Sequence, residues 1–79
     1  MHNRVIRSKK DEERLCRLGD KIRELRIRKK ETRRGLASRV ALHVSSISRI
    51  ENGRTEPSVL TLERIASALN VSTAVFTER

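Results

Sequence analysis

The chain has 79 residues, with nineteen Lys and Arg against ten Asp and Glu, a net charge of +9 and a single aromatic residue, Phe76. A chain of this length builds one small domain, so we expect no elaborate catalytic cleft. No apolar run approaches the roughly 20 residues that span a bilayer, and the polar start does not fit a signal peptide. We therefore expect no membrane insertion and a cytoplasmic location. The lone cysteine, Cys16, excludes an internal disulfide and a multi-cysteine zinc site.

The positive charge is concentrated in residues 1–35, which hold fourteen basic and six acidic residues, whereas residues 36–79 hold five and four. A basic surface attracts polyanions, so nucleic acid is the first candidate partner and an anionic membrane the second. The same charge also keeps a small domain soluble. Charge alone does not choose among these interpretations.

The spacing of apolar residues predicts five helices and no strand. The first stripe has the three-and-four spacing of one helical face: Leu15, Leu18, Ile22 and Leu25. This spacing places the first helix from about Arg17 onward. We expect residues 1–14 to be a basic arm, disordered or frayed into the helix, and residues 15–79 to be the domain. Ser8 followed by Asp11 is an alternative cap that would begin the helix earlier.

Local signals also mark the other helices. Thr32 is a suitable N-cap for a second helix, and the periodicity breaks at residues 41–43 before a third helix resumes it. Asn52-Gly53 ends the third helix, since both residues tolerate a left-handed conformation. Ser58 caps a fourth helix, Asn70 closes it, and Ser72 begins a last short turn near Phe76. The predicted inward residues of helices two to four are Leu36, Ala37, Val40, Ile47, Ile50, Leu62, Ile65, Ala66 and Leu69.

Helices two and three have the arrangement of a helix-turn-helix unit, in which the second helix lies in the DNA major groove. The residues of this region include Leu36-Ala37, then Ser45-Ser46-Ile47-Ser48-Arg49-Ile50-Glu51-Asn52-Gly53, then Glu56-Pro57-Ser58 and Ile65-Ala66. From about residue 18 to residue 76 the chain resembles the Cro/C1-type (Xre) helix-turn-helix family. The resemblance implies an all-α, compact five-helix domain like that of lambda repressor, and a DNA-binding regulator of transcription.

The resemblance also implies which residues contact DNA. The base-reading residues would be Val44, Ser45, Ser48 and Arg49. A guanidinium presents two parallel donors that match the O6 and N7 acceptors of guanine, so Arg49 is the main candidate for specificity. Hydroxyls bond base edges or phosphates, whereas Val44 can only pack on a thymine methyl. Contacts to the DNA backbone are expected from Arg33, His43, Ser46, Asn52 and Arg54.

The family pairs the acidic residue before Asn-Gly with an arginine of the first helix, which implies a structural ion pair between Glu51 and Arg26. We therefore expect no catalytic residue, no enzyme activity and no cofactor, since no nucleophile or substrate pocket accompanies Glu51. His2 and His43 lack partners at metal-ligand spacing, so no metal site is expected.

Three positions depart from the family pattern. Arg33 stands where glutamine is usual, His43 where a small hydroxyl cap is usual, and Ala41 where the turn usually has glycine. Arg33 adds a charge suited to phosphate. It also leaves open whether helix two supports position 44 in the usual way.

A single small domain contacts few base pairs, so we expect a homodimer on a pseudo-palindromic operator. The family commonly dimerises through its carboxy-terminal helix, where the candidate interface residues are Val71, Ala74, Val75 and Phe76. Alternatively, Phe76 closes the core of the monomer, and both roles are compatible.

Our preferred interpretation is a small autoregulatory repressor of the phage type or a restriction-modification controller. Its partners would be double-stranded DNA, a second copy of itself and RNA polymerase, with no small-molecule substrate. A second interpretation is an antitoxin that binds DNA and a toxin protein. A third is a nonspecific basic adaptor for nucleic acid or membrane, although the dearth of aromatic residues argues against stacking on single strands.

Overall fold

The structure, a computed structural model, describes residues 8–77. This part of the chain forms five helices and no strand, which confirms the all-α prediction. The helices are α1 (Lys9–Arg28), α2 (Arg33–Arg39), α3 (Val44–Glu51), α4 (Val59–Ala68) and α5 (Ala74–Thr77).

Helix α1 begins upstream of its apolar stripe. The Oγ atom of Ser8 accepts a hydrogen bond of 3.1 Å from the backbone N–H of Asp11. Asp11 and Glu12 also place negative charge in the first turn, where the helix dipole favours it. Residues 9–14, expected to be arm or frayed helix, are thus the first turns of α1, and Ser8 is its N-cap. Residues 1–7 of the predicted arm lie outside the described residues.

The caps at the starts of α2 and α4 are those that the sequence indicates. Thr32 Oγ1 accepts from the N–H of Gly35 at 2.9 Å, and Ser58 Oγ accepts from the N–H of Thr61 at 3.1 Å. His43 occupies the N-cap of α3 but makes no side-chain hydrogen bond there. Helix α3 therefore begins without the hydroxyl cap that helps to hold its two neighbours.

Each of α1 to α4 ends in the same backbone motif. A residue with positive φ follows the helix, at Lys30 (56°), Ala41 (57°), Gly53 (70°) and Asn70 (57°). The N–H of the next residue then bonds a carbonyl oxygen five residues back, at 2.9 to 3.0 Å. This is the Schellman motif. Its left-handed position favours glycine and, less often, asparagine. Lys30 and Ala41 also adopt the left-handed conformation, although neither residue type favours positive φ.

The core lies where α1 to α4 meet. Its buried residues are Ile22, Leu36, Ala37, Val40, Ile47, Ile50, Ile65 and Leu69. All of them belong to the predicted apolar faces. Gly19 brings α1 close to the end of α3, because a Cβ at this position would overlap the backbone carbonyl oxygens of Ile50 and Glu51.

The last helix partly closes the core. Val71 and Phe76 are half-buried and pack against it, Val75 is half-buried, and Ala74 is exposed. Phe76 thus has the core-closing role that we expected as one alternative. Among the helices of residues 8–77, none has the length and apolar character needed to cross a membrane.

Candidate nucleic-acid interface

One side of α3 is buried and the other is open. Ile47, Ile50 and Glu51 are at most 4 % exposed. At 100° per residue, the opposite arc of the helix carries, in angular order, Val44, Ser48, Asn52, Ser45 and Arg49. All of these are exposed except Ser48, which is half-buried. The predicted base-reading residues therefore share one accessible face.

Helix α2 braces α3 from behind. The connection runs through residues 40–43, and Val40 and Leu36 are buried against Ile47 in the common core. Leu42 N–H closes the end of α2 by bonding the carbonyl oxygen of Ala37 at 2.9 Å. A short, closed turn of this kind leaves α3 little freedom to rotate relative to α2.

Arg49 is only lightly held by the protein. Its Nη2 lies 3.5 Å from Ser46 Oγ, which is long for a hydrogen bond. Its side chain borders a cleft of about 300 Å³ between α3 and the start of α4, lined also by Glu56, Ser58 and Thr61. Arg49 as a whole is an exposed residue.

The opposite face of α3 is anchored by a buried ion pair. Arg26 donates from Nε to Glu51 Oε2 at 2.7 Å and from Nη2 to Oε1 at 3.1 Å. Its Nη1 donates to the backbone oxygen of Glu31 at 2.8 Å. Arg26 and Glu51 are 8 % and 1 % exposed, and they are the two residues that the family resemblance pairs. A bidentate arrangement of this kind fixes the orientation of α3 about its axis.

Arg33 adds a second guanidinium to the same carboxylate. Its Nε donates to Glu51 Oε1 at 2.9 Å, while 42 % of its side chain stays exposed. Burial alone would raise the pKa of Glu51. The hydrogen bonds and positive charges of Arg26 and Arg33 outweigh this effect, so the pKa lies below its usual value of 4.5. Glu51 is therefore ionised at neutral pH.

Sequence reasoning missed the role of Arg23. Its Nη2 donates to Asn52 Oδ1 at 3.0 Å, and its Nε lies 3.7 Å from Glu51 Oε1. Arg23 precedes Arg26 by three residues and thus shares its side of α1. That spacing was the available signal, and it becomes informative only once Glu51 is placed opposite Arg26.

The residues predicted to contact the DNA backbone lie at both ends of α3. His43 and Ser46 are at its start, exposed and half-buried respectively, and Asn52 and the exposed Arg54 follow its end. Arg33 joins the second group through Glu51. The two groups are separated by the length of α3, about 12 Å. Within residues 8–77, no cluster of His, Cys, Asp and Glu side chains is placed to hold a metal ion.

A short helix with an open polar face, braced by a second helix across a tight turn, defines a helix-turn-helix domain of the kind found in DNA-binding regulators. The helix-turn-helix family model matches residues 22–76, and the chain belongs to this Cro/C1-type family. The family consists of DNA-binding regulators. Among curated proteins, none matches the chain.

Two solved structures have the same fold. The restriction-modification controller protein C.AhdI from Aeromonas hydrophila is similar with a TM-score of 0.76 and 27% identity, over 78% of this chain and 94% of that one. The clp gene regulator ClgR from Corynebacterium glutamicum is similar with a TM-score of 0.76 and 33% identity, over 81% of this chain and 67% of that one. Both confirm the predicted fold class.

Proposed function

We propose that the protein regulates transcription by reading a specific double-stranded DNA sequence with the exposed face of α3. The observation that supports this proposal most strongly is that one face of α3 is buried against the domain and the other is exposed. Glu51 and two isoleucines hold the helix from one side, while Arg49, Ser45 and Val44 are accessible on the other. A helix held in this way can enter a major groove without reorganising.

Arg49 would supply most of the base discrimination. Its two terminal nitrogens suit the O6 and N7 atoms of guanine, a contact worth about 1–3 kcal/mol against a wrong base. Val44 is 40 % exposed at the first position of α3, where it can pack on a thymine methyl. Ser45 and Ser48 would hydrogen-bond base edges or phosphates. They would therefore help to position the helix on the DNA more than they would contribute to specificity.

The residues at the two ends of α3 would hold the DNA backbone. Arg33 keeps 42 % of its side chain exposed although its Nε is engaged by Glu51, and the exposed Asn52 and Arg54 follow the end of α3. His43 and Ser46 would contact the backbone at the start of α3. Such contacts set the register of the helix on the duplex.

The test is competition by random duplex. In about 0.15 M salt, a labelled duplex selected for binding should stay bound when a large excess of random duplex is added. Arg49→Ala should lose this resistance, whereas Arg64→Ala, which removes the same charge from an exposed position on α4, should keep it. Loss of binding by the wild type under the same competition would contradict sequence-specific reading and would favour the nonspecific adaptor.

We also propose that the protein binds its operator as a homodimer through α5. The support is the apolar surface of this helix, which includes the exposed Ala74 and the half-buried Val75. Ala74→Glu should shift sedimentation from dimer to monomer. Leu60→Glu is the matched control, since Leu60 is an exposed apolar residue on α4. Dissociation by the Leu60 change alone would contradict the assignment to α5.

The similarity to a restriction-modification controller over most of that protein's length supports a regulator of the controller or repressor type. Control of its own gene and a contact with RNA polymerase stay predictions. Neither is needed for the DNA-reading role proposed for α3.

A further inference from the structure

The guanidinium of Arg23 lies between two consecutive residues at the end of α3. Nη2 hydrogen-bonds Asn52 Oδ1 at 3.0 Å. Nε is buried and, within the described part of the chain, makes no hydrogen bond, but it lies 3.7 Å from the carboxylate of Glu51. The attraction to Glu51 is therefore electrostatic, and it keeps the guanidinium in place to hold Asn52.

The contact to Asn52 determines what this side chain can offer to a ligand. An asparagine amide accepts through its oxygen and donates through its nitrogen. Because Oδ1 is engaged by Arg23, Nδ2 is directed away from it, at an exposed position beside the base-reading face. An exposed donor at the end of a groove-binding helix suits a phosphate oxygen.

The electrostatics of this corner also favour an anion. Three guanidinium groups, from Arg23, Arg26 and Arg33, surround the single carboxylate of Glu51. The excess of positive charge persists although Glu51 is ionised. A phosphate group approaching Asn52 would therefore enter a region of positive potential.

We propose that Arg23 is a positioning residue for DNA binding, which fixes the Asn52 amide so that Nδ2 donates to a backbone phosphate. In this proposal Arg23 directs Nη2 to Asn52 and Nε to Glu51 and makes no phosphate contact of its own. This inference rests on the proposed function, because it assigns a backbone contact within the same DNA interface. It extends the interface to Arg23, in the middle of α1, which was not among the expected DNA contacts.

The contact can be tested without DNA. The chain contains three asparagines, at positions 3, 52 and 70, and no glutamine, so its side-chain amide spectrum holds three pairs of signals. Asn52→Ala identifies the pair of Asn52. Arg23→Ala should shift this pair, whereas Arg28→Ala, which removes the same charge from an exposed position on α1, should leave it in place. An unchanged Asn52 pair in Arg23→Ala would overturn the inference.

The role in binding is tested by affinity and its salt dependence. Arg23→Ala and Asn52→Ala should each weaken binding of a selected duplex about three- to tenfold, the effect of one hydrogen bond. The Arg23→Ala/Asn52→Ala double variant should bind DNA no more weakly than Asn52→Ala, once the loss of affinity from removing one positive charge, measured with Arg28→Ala, is subtracted. Removing a direct phosphate contact would lower the slope of log Kd against log salt concentration by about one. Arg23→Ala should instead show the same slope as Arg28→Ala.

Two outcomes would overturn the positioning role of Arg23. One is that the affinity losses of Arg23→Ala and Asn52→Ala multiply in the double variant, and the other is that the salt slope of Arg23→Ala is lowered by about one. Either would show that Arg23 contacts DNA directly. Melting curves check that each variant is folded. If Arg23→Ala is not, Arg23→Gln replaces it with the same expected result. Absence of specific binding by the wild type would instead overturn the proposed function and this inference with it, even if the Asn52 signals shift as expected.

Discussion

Arg26 binds Glu51 through two hydrogen bonds of 2.7 and 3.1 Å and so joins α1 to the last residue of α3. An acidic residue at a helix carboxy terminus is disfavoured by the helix dipole, and burial without a partner adds a further penalty. Arg26 offsets both effects. Because it also bonds the backbone oxygen of Glu31, one side chain connects α1, α3 and the turn that leads into α2.

Removing this arginine should destabilise the fold. Arg26→Ala is expected to lower the free energy of unfolding by about 3 kcal/mol, because a buried carboxylate loses its main partner. The cost stays near the low end of the known range since Arg33 still bonds Glu51. Urea denaturation measures it, with Arg28→Ala as an exposed control that should change stability by less than about 0.5 kcal/mol. Equal small effects in both variants would contradict the anchoring role of Arg26.

The lowered pKa of Glu51 should make stability depend on pH. Its folded-state pKa lies below the ordinary value of 4.5, so the unfolded chain takes up the proton first as the pH falls. The stabilisation is complete above the unfolded-state pKa and is lost as the pH falls through the folded-state value. The stability difference between wild type and Glu51→Gln should therefore be largest near neutral pH and should shrink below about pH 4.5. A difference that stays constant on acidification would contradict the assignment.

Gly19 should resist replacement although it lies inside a helix. Alanine is the better helix former by about 1 kcal/mol, but its Cβ would overlap the carbonyl oxygens of Ile50 and Glu51. Gly19→Ala is expected to lower the free energy of unfolding by about 1–3 kcal/mol. At Gly35, a Cβ meets the movable side chain of Glu31, so Gly35→Ala should cost less in the same denaturation experiment. A stabilising Gly19→Ala change would show that α1 and α3 are not in close contact.

Replacing Ala41, in the turn between α2 and α3, with glycine should stabilise the protein. Ala41 has a φ of 57°, a conformation that costs an L-residue about 1–2 kcal/mol. Glycine removes this cost but loses more entropy on folding, so Ala41→Gly should stabilise the protein by about 0.5–1 kcal/mol. Thermal denaturation measures the change, and Ala74→Gly, at the start of α5, should destabilise instead. A lower melting temperature for Ala41→Gly would contradict the left-handed conformation at this turn.

Much of the fold could be predicted from local signals. Thr32 and Ser58 are hydroxyl residues at helix starts, Gly53 and Asn70 are residues that tolerate positive φ, and the apolar spacing marks the inward faces. These signals act within one or two turns of the chain. For this reason the core and most helix boundaries could be predicted without a structure. The start of α1 was the exception, because the helix extends about two turns upstream of its apolar stripe.

The left-handed conformations of Lys30 and Ala41 could not be predicted in this way, because neither residue type favours positive φ. Both residues are exposed, and their conformation goes with the hydrogen bonds that close α1 and α2, from Glu31 N–H to Arg26 O and from Leu42 N–H to Ala37 O. The contacts of Arg33 with Glu51 and of Arg23 with Asn52 span 18 and 29 residues of the chain. No local pattern encodes contacts at such separations, and the family resemblance pairs only Arg26 with Glu51.

The claim that the open face of α3 reads bases is tested most directly by selecting bound duplexes from a random library with the wild type and with Arg49→Ala. The wild type should enrich a two-fold related motif with a guanine at a fixed position in each half-site. Arg49→Ala should lose the preference at that position, by about 1–3 kcal/mol, while its melting temperature stays close to that of the wild type. A wild type that enriches no motif, or an Arg49→Ala variant that keeps the same preference, would contradict the account.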